Sequence, residues 1–143
     1  MKKYSLSIFF IIILVSHCAY FNTFFNAKKY FHDAEKQREE RLKKEKKQKQ
    51  QGLTADQNQR GLNPDRPSAQ ESKNYDLSIE KASKVLEFYP TSKYIDDALF
   101  LLGKCFFRKL DYQKAERKFI ELRENFPNSE FIPESPQRQL FPH

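Results

Sequence analysis

The feature that most constrains this 143-residue chain is that part of it repeats. With a shift of 37 residues, Tyr75 to Ala98 lies over Tyr112 to Ser135. Tyr75 then falls on Tyr112, Ala82 on Phe119, Val85 on Leu122, Tyr89 on Phe126, Pro90 on Pro127, Ser92 on Ser129 and Ile95 on Ile132. The string aromatic-Pro-x-Ser-x-aromatic-Ile occurs twice, each time after a segment whose apolar residues keep one helical face. Tyr112, Ala115, Phe119, Leu122 and Phe126 form a single stripe at steps of three and four residues. The residue before a proline avoids the α region, so Pro127 ends that helix. A period of roughly 34 to 37 residues with two helices per unit predicts a helical solenoid, built from units that bury their apolar faces on one another.

The second unit resembles the tetratricopeptide repeat. Leu99, Leu102, Gly103, Phe106, Ala115, Phe119, Leu122 and Pro127 occupy its signature positions, with Leu122 standing where a small residue is usual. Gly103 and Ala115 are expected to let the two helices of a hairpin approach closely, and Leu102, Phe106 and Phe119 to fill the space between hairpins. One repeat, Tyr94 to Pro127, is complete. Asn74 to Pro90 matches only a second helix, and Tyr20 to Glu35 is the expected first-helix partner, with a charged arm and a linker inserted between them. The expected fold is all-α: tetratricopeptide-like helical hairpins forming a right-handed solenoid fragment.

The N-terminus reads as an address. Lys2 and Lys3 precede an unbroken apolar run, Ile8 to Val15. That run is far shorter than the roughly 20 residues a bilayer span needs, and the layout matches a secretory signal peptide. Val15-Ser16-His17-Cys18 resembles the lipobox of bacterial lipoproteins, although His17 stands where Gly, Ala or Ser is usual. The resemblance implies lipidation at Cys18. Three acyl chains there would anchor stably, because each buried methylene contributes about 0.8 kcal/mol. Cys105 would remain as a lone thiol, so no disulfide is expected. The expected divisions are a lipoprotein signal peptide over 1–17, an amphipathic then charged helix over 18–51, a flexible linker over 52–73, repeats over 74–135 and an irregular tail over 136–143.

Between Tyr20 and Ala34 aromatic residues recur at helical spacing, which suits either a membrane-surface stripe or the core face of a first repeat helix. From Glu35 to Gln51 the stripe vanishes and Leu42 is the only large apolar residue. A helix polar all round cannot be held by apolar packing, so a solvated or frayed extension is expected. The chain's net charge of +7 is concentrated here: residues 27–51 hold ten Lys/Arg and five Asp/Glu, whereas residues 52–143 balance at 14 and 14. No nucleic-acid-binding motif accompanies the excess, and no nucleic-acid partner is expected.

Signal, lipobox and repeats together resemble the BamD-type outer-membrane lipoproteins, non-enzymatic scaffolds that grip other proteins. The resemblance implies a lipid-anchored scaffold on the periplasmic face of the bacterial outer membrane, with envelope or outer-membrane assembly components as partners. It also assigns the concave groove to the first helix of each repeat, here Asp97, Phe100, Lys104, Phe107 and Arg108, with packing against the neighbouring repeat as the competing role. That family carries about five repeats, so a truncated relative is expected, with an apolar face exposed on the helix from Asp111 to Phe126. No catalytic residues, metal ligands, cofactor or small-molecule substrate are expected, because His17, His32 and His143 lack metal-ligand spacing and Cys105 sits on an apolar helix face. Two alternatives stand beside the scaffold: a soluble periplasmic repeat protein of division or envelope maintenance, and a basic helix around Lys43 to Lys49 that binds membrane or nucleic acid.

Overall fold

The computed structural model describes residues 2–50 and 65–132, with side chains from Asn22 onward, Lys49 excepted. The expected tail and most of the expected linker lie outside the described residues, as does the side chain of Cys18. Among the described residues four helices follow one another: α1 (Lys2–Gln50), α2 (Ala69–Phe88), α3 (Ile95–Arg108) and α4 (Tyr112–Asn125). The described residues contain no strand, and α1 passes through position 18 without a break.

α1 pairs with α2, α2 with α3, and α3 with α4, while α1 meets α3 along a narrower seam. This is two helical hairpins stacked side by side. α1 and α2 run antiparallel, since successive contacts join Ala27 to Ser78, Glu35 to Tyr75, Gln37 to Asn74 and Arg41 to Glu71. The first-helix partner of α2 is therefore the Tyr20–Glu35 segment of α1. One buried cluster joins Phe24, Ala27, Ala34, Tyr75, Ala82, Val85, Leu102 and Cys105, and the other joins Leu99, Phe100, Ala115, Phe119 and Leu122.

The connector repeats bond for bond. Tyr89 and Phe126 donate to the carbonyls of Val85 and Leu122, Ser92 and Ser129 to those of Tyr89 and Phe126, and Ile95 and Ile132 to those of Ser92 and Ser129. The serine is needed because its hydroxyl accepts the next exposed amide, that of Tyr94 at 2.9 Å and of Phe131 at 3.4 Å. Each connector aromatic then stacks on a first-helix phenylalanine, Tyr94 on Phe24 at 5.2 Å and Phe131 on Phe100 at 4.7 Å. α3 ends in a Schellman motif, with Asp111 N–H bonded to Phe106 O and Leu110 N–H to Phe107 O. Leu110 carries the left-handed φ of 63° that glycine usually takes there.

Several expectations are corrected. The linker ends before 73, because Ser68 and Glu71 form a reciprocal capping box that starts α2 at Ala69. The arm after Glu35 is not wholly solvated. It docks on α2 through charge rather than apolar area: Arg41 bonds Glu71 at 2.8 Å, and Arg38 lies 3.6 Å from Asp65. Phe119 does not fill the space between hairpins but lies inside the second one, over Gly103, where a Cβ would stand 2.4 Å from its ring. α4 shows no broad apolar face, since Ala115, Phe119 and Leu122 are buried and Phe126 is half-buried, which leaves Tyr112 at its start as the exposed member of the stripe. The aromatic stripe of α1 divides likewise: Phe24, Ala27 and Ala34 are core and Phe25 points outward.

Glu71 is 1% exposed and holds both the α2 cap and the arm. Replacing it with alanine removes half the capping box and leaves Arg41 without that carboxylate. The expected cost is about 2 kcal/mol. Hydrogen exchange should report faster amide exchange at Ser72 and its neighbours, with residues 112–125 unaffected.

Candidate partner-binding face

The first helices of the two hairpins correspond at an offset of 76 residues, which sets Phe24 on Phe100, Ala27 on Gly103, Lys28 on Lys104, Tyr30 on Phe106 and Phe31 on Phe107. The offset exceeds the 37-residue repeat because the arm and linker are inserted inside the first hairpin. α1 and α3 run parallel, and the seam between them carries the candidate face. It starts with the Phe24–Tyr94 stack and ends with a two-pronged ion pair, Arg108 Nε and Nη2 each 2.8 Å from the Glu35 carboxylate.

Lysines lie between these ends. Lys28 Nζ stands 4.9 Å from the Phe24 ring centroid, and Lys104 Nζ stands 5.2 Å from the equivalent Phe100. Lys104 also reaches 4.8 Å from Phe31 across the seam. Each lysine thus rests its charge on an aromatic ring, Lys28 as an exposed side chain and Lys104 as a partly exposed one. The arrangement recurs with the repeat, so it is built by the helix register (four residues from Phe to Lys) rather than by chance contact.

Of the five residues expected to line the groove, Lys104 and Phe107 reach this face as partly exposed side chains, Phe107 with its edge against Tyr112. Arg108 is occupied by Glu35, and Phe100 is 8% exposed beneath Phe131. Asp97 is half-buried; burial, then neighbouring Asp96, raises its carboxyl above the usual value. The 76-residue correspondence is the signal that places Lys28 and Phe31 on this face, whereas it sets Glu35 on Asp111, and the Glu35–Arg108 pair is found only in the fold.

The polar end of the seam is tightly held. Tyr75, fully buried, donates its hydroxyl to Glu35 at 2.6 Å. Burial works to raise the Glu35 carboxyl, but the bonds from Arg108 and Tyr75 more than reverse this and hold it below its ordinary value. Tyr75 moves the other way, raised by burial and then by the hydrogen bond its hydroxyl donates to the negatively charged Glu35 carboxylate. The second hairpin is also tied to α2 by an ion pair between Lys109 and Asp76.

The eight signature positions have structural places: Leu99, Leu102, Gly103, Ala115, Phe119 and Leu122 are buried, Phe106 packs against both clusters, and Pro127 follows α4 in the connector. Cys105 is fully buried, its thiol donating to Ser78, and burial pushes it up to about 12. A thiolate is the reactive form, so this sulfur is inert in the folded chain. Among the described residues no group of three or more His, Cys, Asp or Glu is placed to hold a metal ion, and no helix is long and apolar enough to cross a membrane.

Residues 97–129 match the tetratricopeptide repeat family, which covers α3 from Asp97, all of α4 and the start of the second connector. No curated protein and no solved structure matches the chain. The fold is all-helical with tetratricopeptide-like hairpins, an architecture that serves protein–protein contact.

Proposed function

We propose that the chain is a non-enzymatic scaffold, anchored by lipid at Cys18 to the periplasmic face of the bacterial outer membrane, which grips a partner protein along the α1–α3 face. The observation that carries the binding role is the recurrence of a lysine seated on a phenylalanine at equivalent places in both hairpins, Lys28 on Phe24 and Lys104 on Phe100. Two cations in register, with Phe31 and Phe107 between and beyond them, suit a segment carrying acidic groups one repeat apart. An envelope or outer-membrane assembly component is the partner class that the N-terminal lipobox pattern favours.

Metabolic labelling with a radioactive fatty acid tests the anchor: the parent takes up label and the Cys18→Ala variant does not. Label absent from both leaves a soluble periplasmic scaffold. The face is tested with Lys28→Glu combined with Lys104→Glu, which spares the Glu35–Arg108 pair. Partner capture should fall at least about tenfold, since each charge reversal replaces an attraction with a repulsion. Unchanged capture, with helicity intact, would sink the assignment. Loss of binding on neutralising Lys43 to Lys49 instead would favour the basic arm.

A further inference from the structure

Among the described residues two large apolar side chains stand more than half exposed, Phe25 at 54% and Phe88 at 61%. They belong to different helices but to one end of the first hairpin. The Phe24–Tyr94 stack joins the Phe25 stretch of α1 to the connector that leaves α2 just after Phe88. Toward that end α1 continues backward as unbroken helix to Cys18, two turns before Phe25. Lys29 on α1 and Lys93 in the connector are exposed near the pair in sequence, with Glu87 the exposed acid beside Phe88.

We infer that this end of the first hairpin rests on a lipid surface, Phe25 and Phe88 entering the headgroup layer and the lysines meeting anionic phosphates. The inference depends on reading the N-terminal segment as membrane-directed. Two observations favour lipid over a protein partner: Cys18, which carries the proposed acyl chains, lies two helical turns before Phe25, and exposed Lys29 and Lys93 follow the two rings by four and five residues. The geometry also orients the molecule. Gln50 lies 25 residues along α1 from Phe25, about 38 Å of helix, so the lysine-rich end of the arm points away from the bilayer.

The chain has no tryptophan, so a single introduced one reports its own surroundings. The full chain is reconstituted with vesicles of phosphatidylethanolamine and phosphatidylglycerol carrying brominated acyl chains, as Phe25→Trp, Phe88→Trp and Tyr112→Trp variants. Tyr112 is 43% exposed at the start of α4, the opposite end from Phe25 because α3 runs parallel to α1. Flotation with the vesicles reads attachment separately from depth. The expected result is flotation of all three, with fluorescence of the first two blue-shifted and quenched several-fold more than that of Tyr112→Trp. Flotation with equal quenching at all three overturns the inference and leaves the anchor standing. A blue shift that depends on protein concentration and not on bromine assigns the surface to a second copy and overturns it too. Failure to float overturns the anchor reading and this inference with it.

Discussion

Gly103→Leu should remove about 3 kcal/mol of stability, read as a lower denaturation midpoint with an unchanged slope. An added Cβ alone would lie 2.4 Å from Phe119 Cε1 and 2.7 Å from its Cζ, well inside contact distance. Phe119 is 1% exposed, so its ring has nowhere to go. The helix-propensity gain of replacing glycine, about 0.8 kcal/mol, is too small to offset that overlap. The first hairpin shows the other solution to the same close approach, with Ala27 and Ala82 at the equivalent positions, both fully buried. Phe119→Ala alone leaves a cavity and should cost about 3–4 kcal/mol. Gly103→Ala combined with Phe119→Ala should cost clearly less than the two single losses added together, because the methyl occupies space the ring vacated. Strict additivity would mean that the two residues do not share the site.

The second large effect is expected at Glu35. Glu35→Ala strands a half-buried Arg108 and a fully buried Tyr75 hydroxyl together, at a cost of about 3 kcal/mol. Because this cluster joins α1, α2 and α3, the variant should also unfold less cooperatively, the second hairpin separating from the first. Glu35→Gln keeps an acceptor for Tyr75 and should lose less. The pH dependence has a definite sign. The Glu35 carboxyl is lower in the folded chain than in the unfolded one, so its contribution is fully present above the unfolded value of about 4.3. It is lost as pH falls through the folded value, and the stability gap between the parent and Glu35→Gln should close in acid. A gap that widens in acid would place the ion pair outside the stabilising set.

The parts that were legible in the sequence were local. Stripe spacing in 112–126 marks α4, Pro127 marks its end, and the doubled aromatic-Pro-x-Ser string marks a connector whose hydrogen bonds do repeat. Gly103 was legible as a point of close approach, though its neighbour was misassigned: which ring covers a glycine depends on how α3 and α4 cross. The start of α2 was missed although Ser68 and Glu71 spell a capping box, because the polar composition around them suggested a linker.

The candidate face was only half legible. Lys104 and Phe107 follow from the repeat register, but Arg108 resembles them in type and spacing while its charge is spent on Glu35, 73 residues away. Composition and periodicity determine that this chain makes amphipathic helices of this length and turns between them, because those are set by neighbours three and four residues apart. Which polar groups face a partner and which face one another was decided by tertiary packing. Stacking of the two hairpins brought α1 alongside α3, and a charge half-removed from water goes to the nearest opposite charge, however distant it is along the chain.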